Sequence, residues 1–201
     1  MAYILMILVG YLLGCSNLAY YIAKAKKVDL SRGSGNPGTS NAAILMGWGA
    51  GIAVGAHDIG KAFLSVLLAK LLFPGVFGIG EVAGVACVLG HIFPFWLKFK
   101  GGKGFAPFLG MTLGLNWWFA LILMAAVLVI LFVTDFMVIS TFTSIVAVPV
   151  FIGIWEKSWI LAAILLVATL TIFFRHWENI GRLLNGTEIG LRSTAKGDHR
   201  K

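Results

Sequence analysis

The segment WWFALILMAAVLVILFV, residues 117–133, decides the fold class. Its 17 residues include no charged side chain, and about 20 predominantly apolar residues in a helix cross the hydrocarbon core of a bilayer. The composition extends this prediction to the whole chain. Of its 201 residues, 59% are hydrophobic and 12% are charged, whereas soluble domains are roughly half apolar and a quarter charged. A soluble globular fold is therefore excluded.

Further apolar runs lie on both sides of this segment and predict an all-α polytopic membrane protein with about seven transmembrane helices. The run at 105–115 is the shortest, and its 11 residues cover about half a bilayer at ~1.5 Å each. The stretch from 42 to 73 is too long for one simple span, so its core is placed at 50–72. Its start contains Gly47, Gly49, Gly51 and Gly55 and is interpreted as a broken or close-packed entry. The predicted spans are 3–23, 50–72, 82–97, 105–115, 117–133, 136–154 and 158–174.

The basic residues predict the orientation of these helices. Sixteen Lys and Arg against eight Asp and Glu give a net charge of +8, but they sit between apolar runs and do not indicate nucleic-acid binding. Seven spans place 13 of the 16 on one face, which is therefore expected to be cytoplasmic, with the N-terminus outside and the C-terminus inside. These 13 are Lys24, Lys26, Lys27, Arg32, Lys98, Lys100, Lys103, Arg175, Arg182, Arg192, Lys196, Arg200 and Lys201.

The chain is expected to form one membrane domain over 1–186 and a basic polar tail over 187–201. Cys15 and Cys87 lie inside apolar runs without a paired or metal-type spacing, so buried thiols are expected rather than a disulfide. The four His residues show no metal-ligand spacing. No metal or other cofactor, no nucleic acid and no obligate protein partner is therefore predicted.

Three polar segments are expected to emerge together on the cytoplasmic face: 33–41, 98–104 and 175–179. In the first, GSGNPGTSN, glycines allow successive N–H groups to point one way beside hydroxyl and amide groups, as a phosphate requires. The second, KFKGGKG, combines glycines for close backbone approach with three lysine charges. The third, RHWEN, closes the last span. This convergence is the main functional signal in the sequence.

Each segment also has a purely structural interpretation. Gly, Asn, Pro and Ser dominate ordinary turns, and a lysine-rich loop is typical of the cytoplasmic side of a membrane protein. His176 at a helix C-terminus is also suited to interact with the helix dipole. The second segment is not a Walker loop, because the G-x-x-x-x-G-K-[ST] pattern and a preceding strand are both lacking.

Two charged residues, Asp58 and Lys61, fall in the middle of the second span at i, i+3 spacing. An unpaired charge there costs about 2.5 to 3.5 kcal/mol, so we expect the two to pair. A buried pair that is structural or supports a nearby site is one interpretation of this pattern, and a pair that binds substrate directly is the other. His91 in the third span is interpreted as a hydrogen-bonded structural imidazole or as a functional group.

Three strings resemble the signature motifs of the PlsY family, the bacterial acyl-phosphate:glycerol-3-phosphate acyltransferases. They are GSGNPGTSN at 33–41, GHIFPFWLKFKGGKG at 90–104 and RHWENI at 175–180. The resemblance covers the whole chain, and seven helices with an external N-terminus and a cytoplasmic active site also fit the family. It implies an enzyme of phospholipid biosynthesis in the cell membrane.

The reaction that the resemblance implies is transfer of a fatty acyl group from acyl phosphate to the 1-hydroxyl of sn-glycerol 3-phosphate. The products are lysophosphatidate and inorganic phosphate, and the partners are these substrates and the bilayer. An acyl phosphate is already activated, so no covalent enzyme intermediate is needed. The catalytic residues implied are Ser34, Lys103, His176 and Asn179. The substrate-binding residues implied are Gly33, Gly35, Asn36, Gly38, Ser40, Asn41, Gly101, Gly102, Gly104, Thr141 and Ser144.

Two departures from the family pattern are visible. The family usually has an Arg where this chain has Ile44, and Arg32 is a candidate to supply that charge. After the second motif, Pro107 stands where the family has a hydroxyl residue. These departures leave open a divergent paralogue with another acceptor. A transporter for an organic phosphate is the other alternative, although transporter sites usually lie near the midplane between internal repeats, and no repeat is visible.

Overall fold

The computed structural model describes residues 1–190, and the regular secondary structure in this range is all helical. The prediction of an all-α protein is confirmed. The helices are α1 Ala2–Cys15, α2 Leu18–Lys26, α3 Thr39–Met46, α4 Trp48–Leu72, α5 Ile79–Ile92, α6 Phe105–Leu115, α7 Trp117–Thr134, α8 Met137–Trp155, α9 Trp159–Arg175 and α10 Trp177–Leu184, with a short 3-10 turn at Phe95–Leu97.

Five segments among the described residues are long and apolar enough to cross a membrane. They are Ala2–Lys26, Trp48–Leu72, Ile79–Leu97, Trp117–Thr134 and Met137–Trp155. α9 and α10 form a sixth if they are counted as one span bent by 48°. The predicted span at 105–115 corresponds to α6, which has 11 residues and is shorter than each of these segments. The fold is therefore that of a multi-pass membrane protein with five or six long spans.

Two predicted spans are divided by helix breaks. The run 3–23 is interrupted at Ser16 and Asn17, where the Asn17 side chain caps α2 by accepting a hydrogen bond from the Tyr20 N–H at 2.9 Å. The stretch 42–73 forms α3 and α4, which meet at Gly47 with φ of +87°. A left-handed φ of this kind suits glycine and ends a helix, because other residues are strained there.

The centre of the molecule is formed by α5, which is buried along most of its length and packs closely on α1. A Cβ atom at Gly14 would lie 2.1 Å from the Cys87 carbonyl oxygen, and one at Gly90 would lie 2.1 Å from the Tyr11 carbonyl oxygen. Such close backbone contact is how helices associate in membranes, where burial against lipid gives no hydrophobic driving force. This packing fixes the position of the loop that follows α5.

Candidate functional site

The loop before α3 is held in shape by Asn41. Its side-chain Oδ1 accepts a hydrogen bond from the Ser34 N–H at 2.8 Å, and its Nδ2 donates to the Leu30 carbonyl at 2.9 Å. Gly33 adopts a φ of +63°, and a Cβ atom there would collide with Asn41 Oδ1 at 2.4 Å. Asn41 and Gly33 therefore shape the loop, while Ser34 faces the cavity described below.

The loop between α5 and α6 is held by its own backbone. The N–H of Gly101 donates to the Ile92 carbonyl at 3.0 Å, and that of Gly102 donates to the His91 carbonyl at 3.2 Å. These two N–H groups, which the sequence suggested as phosphate ligands, are therefore already bonded. The side chain that enters the cavity is Lys103. Lys98 and Lys100 are exposed on the surface of the protein and are not part of the cavity lining.

The third segment lies at the bend between α9 and α10. His176 is buried there, and its Nδ1 lies 2.9 Å from the Ile172 carbonyl oxygen. Since a carbonyl can only accept, Nδ1 carries the hydrogen, and the neutral ring keeps its lone pair on Nε2. Lys103 Nζ donates to Asn179 Oδ1, so the second and third segments are in direct contact.

The three polar segments meet around one cavity of about 530 Å³. All three segments contribute to its polar lining, as do α4, α5, α10 and the chain after α10. Apolar side chains of α3, α4, α6, α7 and α8 complete the wall. The polar residues are Ser34, Asn36, Thr39, Ser40, Asp58, His91, Lys103, His176, Asn179, Arg182 and Glu188, and the apolar ones include Ile44, Ile52, Ile59, Leu109, Met124, Val127, Leu128, Leu131 and Val138. A molecule with a polar head and an apolar chain fits such a lining.

One wall of the cavity carries a continuous chain of hydrogen bonds. Lys103 contacts Asn179 Oδ1, Asn179 Nδ2 donates to Glu188 Oε1, and Arg182 Nε donates to Glu188 Oε2 at 2.9 Å. Glu188 lies in 187–190, the described part of the predicted tail. The rest of that tail, 191–201, lies outside the described residues. Neither Glu188 nor Arg182 was predicted from the sequence to be a site residue.

Burial against the cavity wall lowers the pKa of Lys103 to about 8, and the positive charge of Arg182 adds to this effect. The carboxylate of Glu188 acts in the opposite direction but does not cancel it. An ammonium group with a pKa near neutrality is a feature of functional sites. Lys103 is therefore poised to gain stabilisation from an anionic ligand.

Three polar atoms among the described residues are buried without a hydrogen-bond partner: Ser34 Oγ, Thr39 Oγ1 and Arg175 Nε. Buried polar groups in proteins are nearly always bonded, so unbonded ones require an explanation. Ser34 and Thr39 both line the cavity, which makes a polar ligand the natural partner of their hydroxyl groups. Thr39 was not selected from the sequence.

A buried ionic cluster lies beneath the site. Lys61 Nζ has three acceptors: Asp58 Oδ1 at 2.7 Å, the Ser16 carbonyl at 2.7 Å and His91 Nδ1 at 2.9 Å. The predicted pairing of Asp58 with Lys61 is present. Because lysine only donates, His91 Nδ1 accepts and its Nε2 carries the hydrogen. A Cβ atom at Gly102 would lie 2.1 Å from His91 Nε2. The His91 ring of the cluster therefore packs directly against the backbone of the loop that carries Lys103.

The structure brings together some of the residues selected from the sequence and leaves others aside. Those that line the cavity are Ser34, Asn36, Gly38, Ser40, Lys103, Gly104, His176 and Asn179. Those that do not are Gly33, Gly35, Asn41, Gly101, Gly102, Thr141 and Ser144. The Thr141 and Ser144 hydroxyls bond to the Met137 and Ser140 carbonyls one turn earlier in α8, at 3.0 and 2.8 Å.

Cys15 and Cys87 are both buried free thiols. Within residues 1–190, no three His, Cys, Asp or Glu side chains lie close enough together to hold a metal ion.

Comparison with known proteins gives consistent matches over nearly the full chain. The family model described as glycerol-3-phosphate acyltransferase matches residues 4–186. The glycerol-3-phosphate acyltransferase of Coxiella burnetii (strain CbuG_Q212) is 37% identical over 191 residues, which cover 94% of this chain and 97% of the relative. The corresponding protein of Lactiplantibacillus plantarum is 35% identical over 190 residues, which cover 94% of this chain and 91% of the relative.

Two solved structures share the fold. One is a crystal structure of PlsY (YgiH), an integral membrane glycerol 3-phosphate acyltransferase, in its glycerol 3-phosphate form. It aligns with a TM-score of 0.88 and 31% identity over 94% of this chain and 96% of that one. The lysophosphatidic acid form of PlsY aligns with a TM-score of 0.86 and 31% identity over 94% of this chain and 95% of that one.

Proposed function

Since the chain belongs to the glycerol-3-phosphate acyltransferase family, we propose that it transfers a fatty acyl group from acyl phosphate to the 1-hydroxyl of sn-glycerol 3-phosphate. The products are 1-acyl-sn-glycerol 3-phosphate and inorganic phosphate. The observation that carries this proposal is the mixed lining of the cavity. Lys103, His176 and the unbonded Ser34 hydroxyl share it with apolar side chains of α4 and α7.

The polar wall supplies what the reaction requires. As the acceptor hydroxyl attacks the acyl carbon, a C–O bond forms, the bond from that carbon to the phosphate oxygen breaks, and inorganic phosphate leaves. Negative charge develops on the departing phosphate, and Lys103 with the Ser34 hydroxyl would stabilise it. The hydroxyl proton has two chemically competent acceptors, the Nε2 lone pair of neutral His176 and a phosphate oxygen of a substrate.

We assign the other selected residues by their placement. Asn36, Gly38 and Ser40 line the cavity and would contact phosphate oxygens from the first loop. Asn179 would orient the acceptor beside His176. The remaining glycines and Asn41 would act on the loops that carry these groups rather than on the substrate.

A donor assay on the purified protein tests the proposal. With palmitoyl phosphate and glycerol 3-phosphate, the wild-type protein should form lysophosphatidate and phosphate without any thioester. With palmitoyl-CoA in place of palmitoyl phosphate, no product is expected. Strict dependence on the thioester would contradict the proposed donor. Turnover of another phosphorylated polyol in place of glycerol 3-phosphate would identify the chain as a paralogue with a different acceptor.

We further infer seven spans, with the N-terminus outside, the C-terminus in the cytoplasm and the cavity opening on the cytoplasmic side of the cell membrane. The lysine and arginine distribution supports this orientation. Trp117, Trp155 and Trp159 are exposed at one end of α7, α8 and α9. Exposed tryptophan side chains are typical of the membrane–water interface, so they support a boundary at that end.

Single-cysteine labelling tests this orientation. In a background with Cys15→Ala and Cys87→Ala, which should be nearly silent in activity, Lys26→Cys and Lys100→Cys should react with an impermeant reagent from the same, cytoplasmic side of sealed vesicles. Pro74→Cys, in the exposed turn after α4, should react from the opposite side. Reaction of Lys26→Cys and Lys100→Cys from opposite sides would contradict the convergence of the polar segments on one face.

The depressed pKa of Lys103 predicts how activity depends on pH. Only the ammonium form attracts a phosphate, and its fraction in the free enzyme falls as the pH rises through about 8. We therefore expect kcat/KM for glycerol 3-phosphate to fall above that pH, by up to about tenfold per pH unit. kcat should fall at a higher pH, because bound phosphate favours the ammonium form.

Lys103→Arg is the matched control for this pH dependence, because arginine stays protonated throughout the range. Its lower activity should show no decline near pH 8. A wild-type kcat/KM that stays flat from about pH 7 to 9.5 would contradict the role of the Lys103 charge.

A further inference from the structure

The cavity wall contains a second cation that the proposed mechanism does not use. Arg182 lies on α10, one turn after Asn179, and lines the cavity together with Lys103. Its Nε donates to Glu188 Oε2 at 2.9 Å. Its Nη1 lies 3.8 Å from Glu178 Oε2, and the Glu178 side chain is 89% exposed. An ion pair of that length with an exposed partner is weak, so within residues 1–190 the terminal nitrogens of the guanidinium have no strong partner and are available to a ligand.

The charges around the cavity leave Arg182 as the partner for a second anionic group. Among the described residues of the lining, the acids are Asp58 and Glu188 and the long-chain cations are Lys103 and Arg182. Asp58 is neutralised by Lys61 beneath the site. Glu188 compensates one of the two cations, yet a substrate pair that carries two phosphates brings more negative charge than Lys103 alone can balance.

The first polar segment and α3 do not provide this charge. Ile44 on α3 lines the cavity with an apolar side chain. Arg32, which the sequence suggested as a substitute for an arginine at position 44, is exposed and is not part of the lining. The second cation that reaches the cavity, beside Lys103, is Arg182 of α10. Glu188 holds its guanidinium by accepting a hydrogen bond from Nε.

We propose that Arg182 binds the phosphate of the acceptor and thereby supplies the charge that position 44 lacks, with Glu188 as its positioning residue. Glu188 Oε1 accepts from Asn179 and Oε2 accepts from Arg182, so one carboxylate sets both side chains. Asn179 and Arg182 lie three residues apart on one face of α10, and Asn179 is the residue that we assign to the acceptor. The ligand of Arg182 is therefore the acceptor rather than the acyl donor. This inference rests on the proposed function, because it assigns one of its substrates to a subsite.

Steady-state kinetics with both substrates test the proposal. Arg182→Gln should raise the KM for glycerol 3-phosphate by roughly 10- to 150-fold, with a much smaller change in kcat and in the KM for palmitoyl phosphate. The KM of Arg182→Lys for glycerol 3-phosphate should lie between those of the wild type and Arg182→Gln, because lysine keeps the charge but lacks the several N–H donors of the guanidinium. Glu178→Gln is the matched control, since it removes the exposed partner of the same arginine, and its KM values should equal those of the wild type.

A rescue variant separates a ligand from a structural residue. Adding Ile44→Arg to Arg182→Gln should restore a low KM for glycerol 3-phosphate, because a guanidinium then reaches the cavity from α3. An unchanged KM for glycerol 3-phosphate in folded Arg182→Gln would overturn the proposal. So would a rise confined to the KM for palmitoyl phosphate, which would assign Arg182 to the donor. If Arg182→Gln does not fold, Arg182→Lys provides the same comparison of the two KM values.

A binding measurement keeps this inference distinct from the proposed reaction. Inorganic phosphate should raise the thermal unfolding midpoint of the wild-type protein in detergent, and Arg182→Gln should need a roughly 10-fold or higher phosphate concentration for the same rise. If the wild type turns over no glycerol 3-phosphate, the proposed function fails, yet the phosphate shift still reports on Arg182. Equal phosphate dependence in both proteins would reject Arg182 as a phosphate ligand.

Discussion

Lys103→Ala is expected to lower kcat/KM for glycerol 3-phosphate by about 10²- to 10³-fold, the usual effect of removing one donor from an oxyanion site. Lys103 is the lysine of the second polar segment that enters the cavity, and its ammonium also holds Asn179 through Oδ1. The substitution therefore removes both a charge next to the substrates and one of the bonds that orient Asn179. Phosphate release from palmitoyl phosphate, measured over a range of glycerol 3-phosphate concentrations, gives kcat and the KM for glycerol 3-phosphate.

Lys100→Ala is the matched control, since Lys100 belongs to the same loop but is exposed away from the cavity. It should retain activity within about twofold, in keeping with the small effect of exposed charges. Both variants should give wild-type yields of folded protein, because Lys100 is exposed and the side-chain bond of Lys103 lies at the cavity, on Asn179. Equal losses in Lys100→Ala and Lys103→Ala would indicate that the loop acts through its net charge and not through a placed ammonium group.

The helical, membrane-spanning character of the chain could be predicted from its apolar runs, because hydropathy reports directly on the cost of burying side chains in lipid. The exact positions of the breaks within those runs could not, although the glycines at 47–55 indicated a broken or close-packed entry to the second run. Ser16 and Asn17 interrupt an apolar run, and the Ser16 carbonyl that the break exposes bonds to Lys61, 45 residues away in sequence. Gly47 was one of several glycines in its run, and only the packing of α3 on α4 shows which of them ends a helix.

The convergence of the three polar segments could also be predicted, since polar residues at the ends of apolar runs must leave the bilayer. What each residue does there depends on contacts that span long distances in sequence. Gly101 and Gly102 were selected as phosphate ligands, but their N–H groups bond to α5 carbonyls. Glu188 was assigned to the tail, because a single carboxylate in a polar segment carries no sign of the bonds that it accepts from Asn179 and Arg182.

The cluster of Asp58, Lys61 and His91 could be predicted from the sequence only in part. The i, i+3 spacing predicted the pair, and the membrane setting explains it, since either charge alone is expensive in lipid. The contacts from Lys61 to the Ser16 carbonyl and to His91 were not predictable, because they join α4 to the break after α1 and to α5. One ammonium group thus connects three helices directly beneath the loop that carries Lys103.

Lys61→Met is therefore expected to be the most destabilising of the substitutions considered. It keeps the length of the side chain but leaves the Asp58 carboxylate, which is 2% exposed, without its ammonium partner. Removing one member of a buried ion pair costs about 3 to 5 kcal/mol of unfolding free energy.

A double substitution identifies the cause of this loss. In Lys61→Met with Asp58→Asn the uncompensated charge is gone, so a substantial part of the stability should return, although the bonds to Ser16 and His91 remain broken. Lys157→Met, at an exposed position after α8, should stay within about 0.5 kcal/mol of the wild type. Denaturant titration of the purified proteins in one detergent gives all four values. If Lys61→Met unfolds at the same midpoint as the wild type, or if the double variant is no more stable than Lys61→Met alone, the cluster does not hold these helices together through its charges.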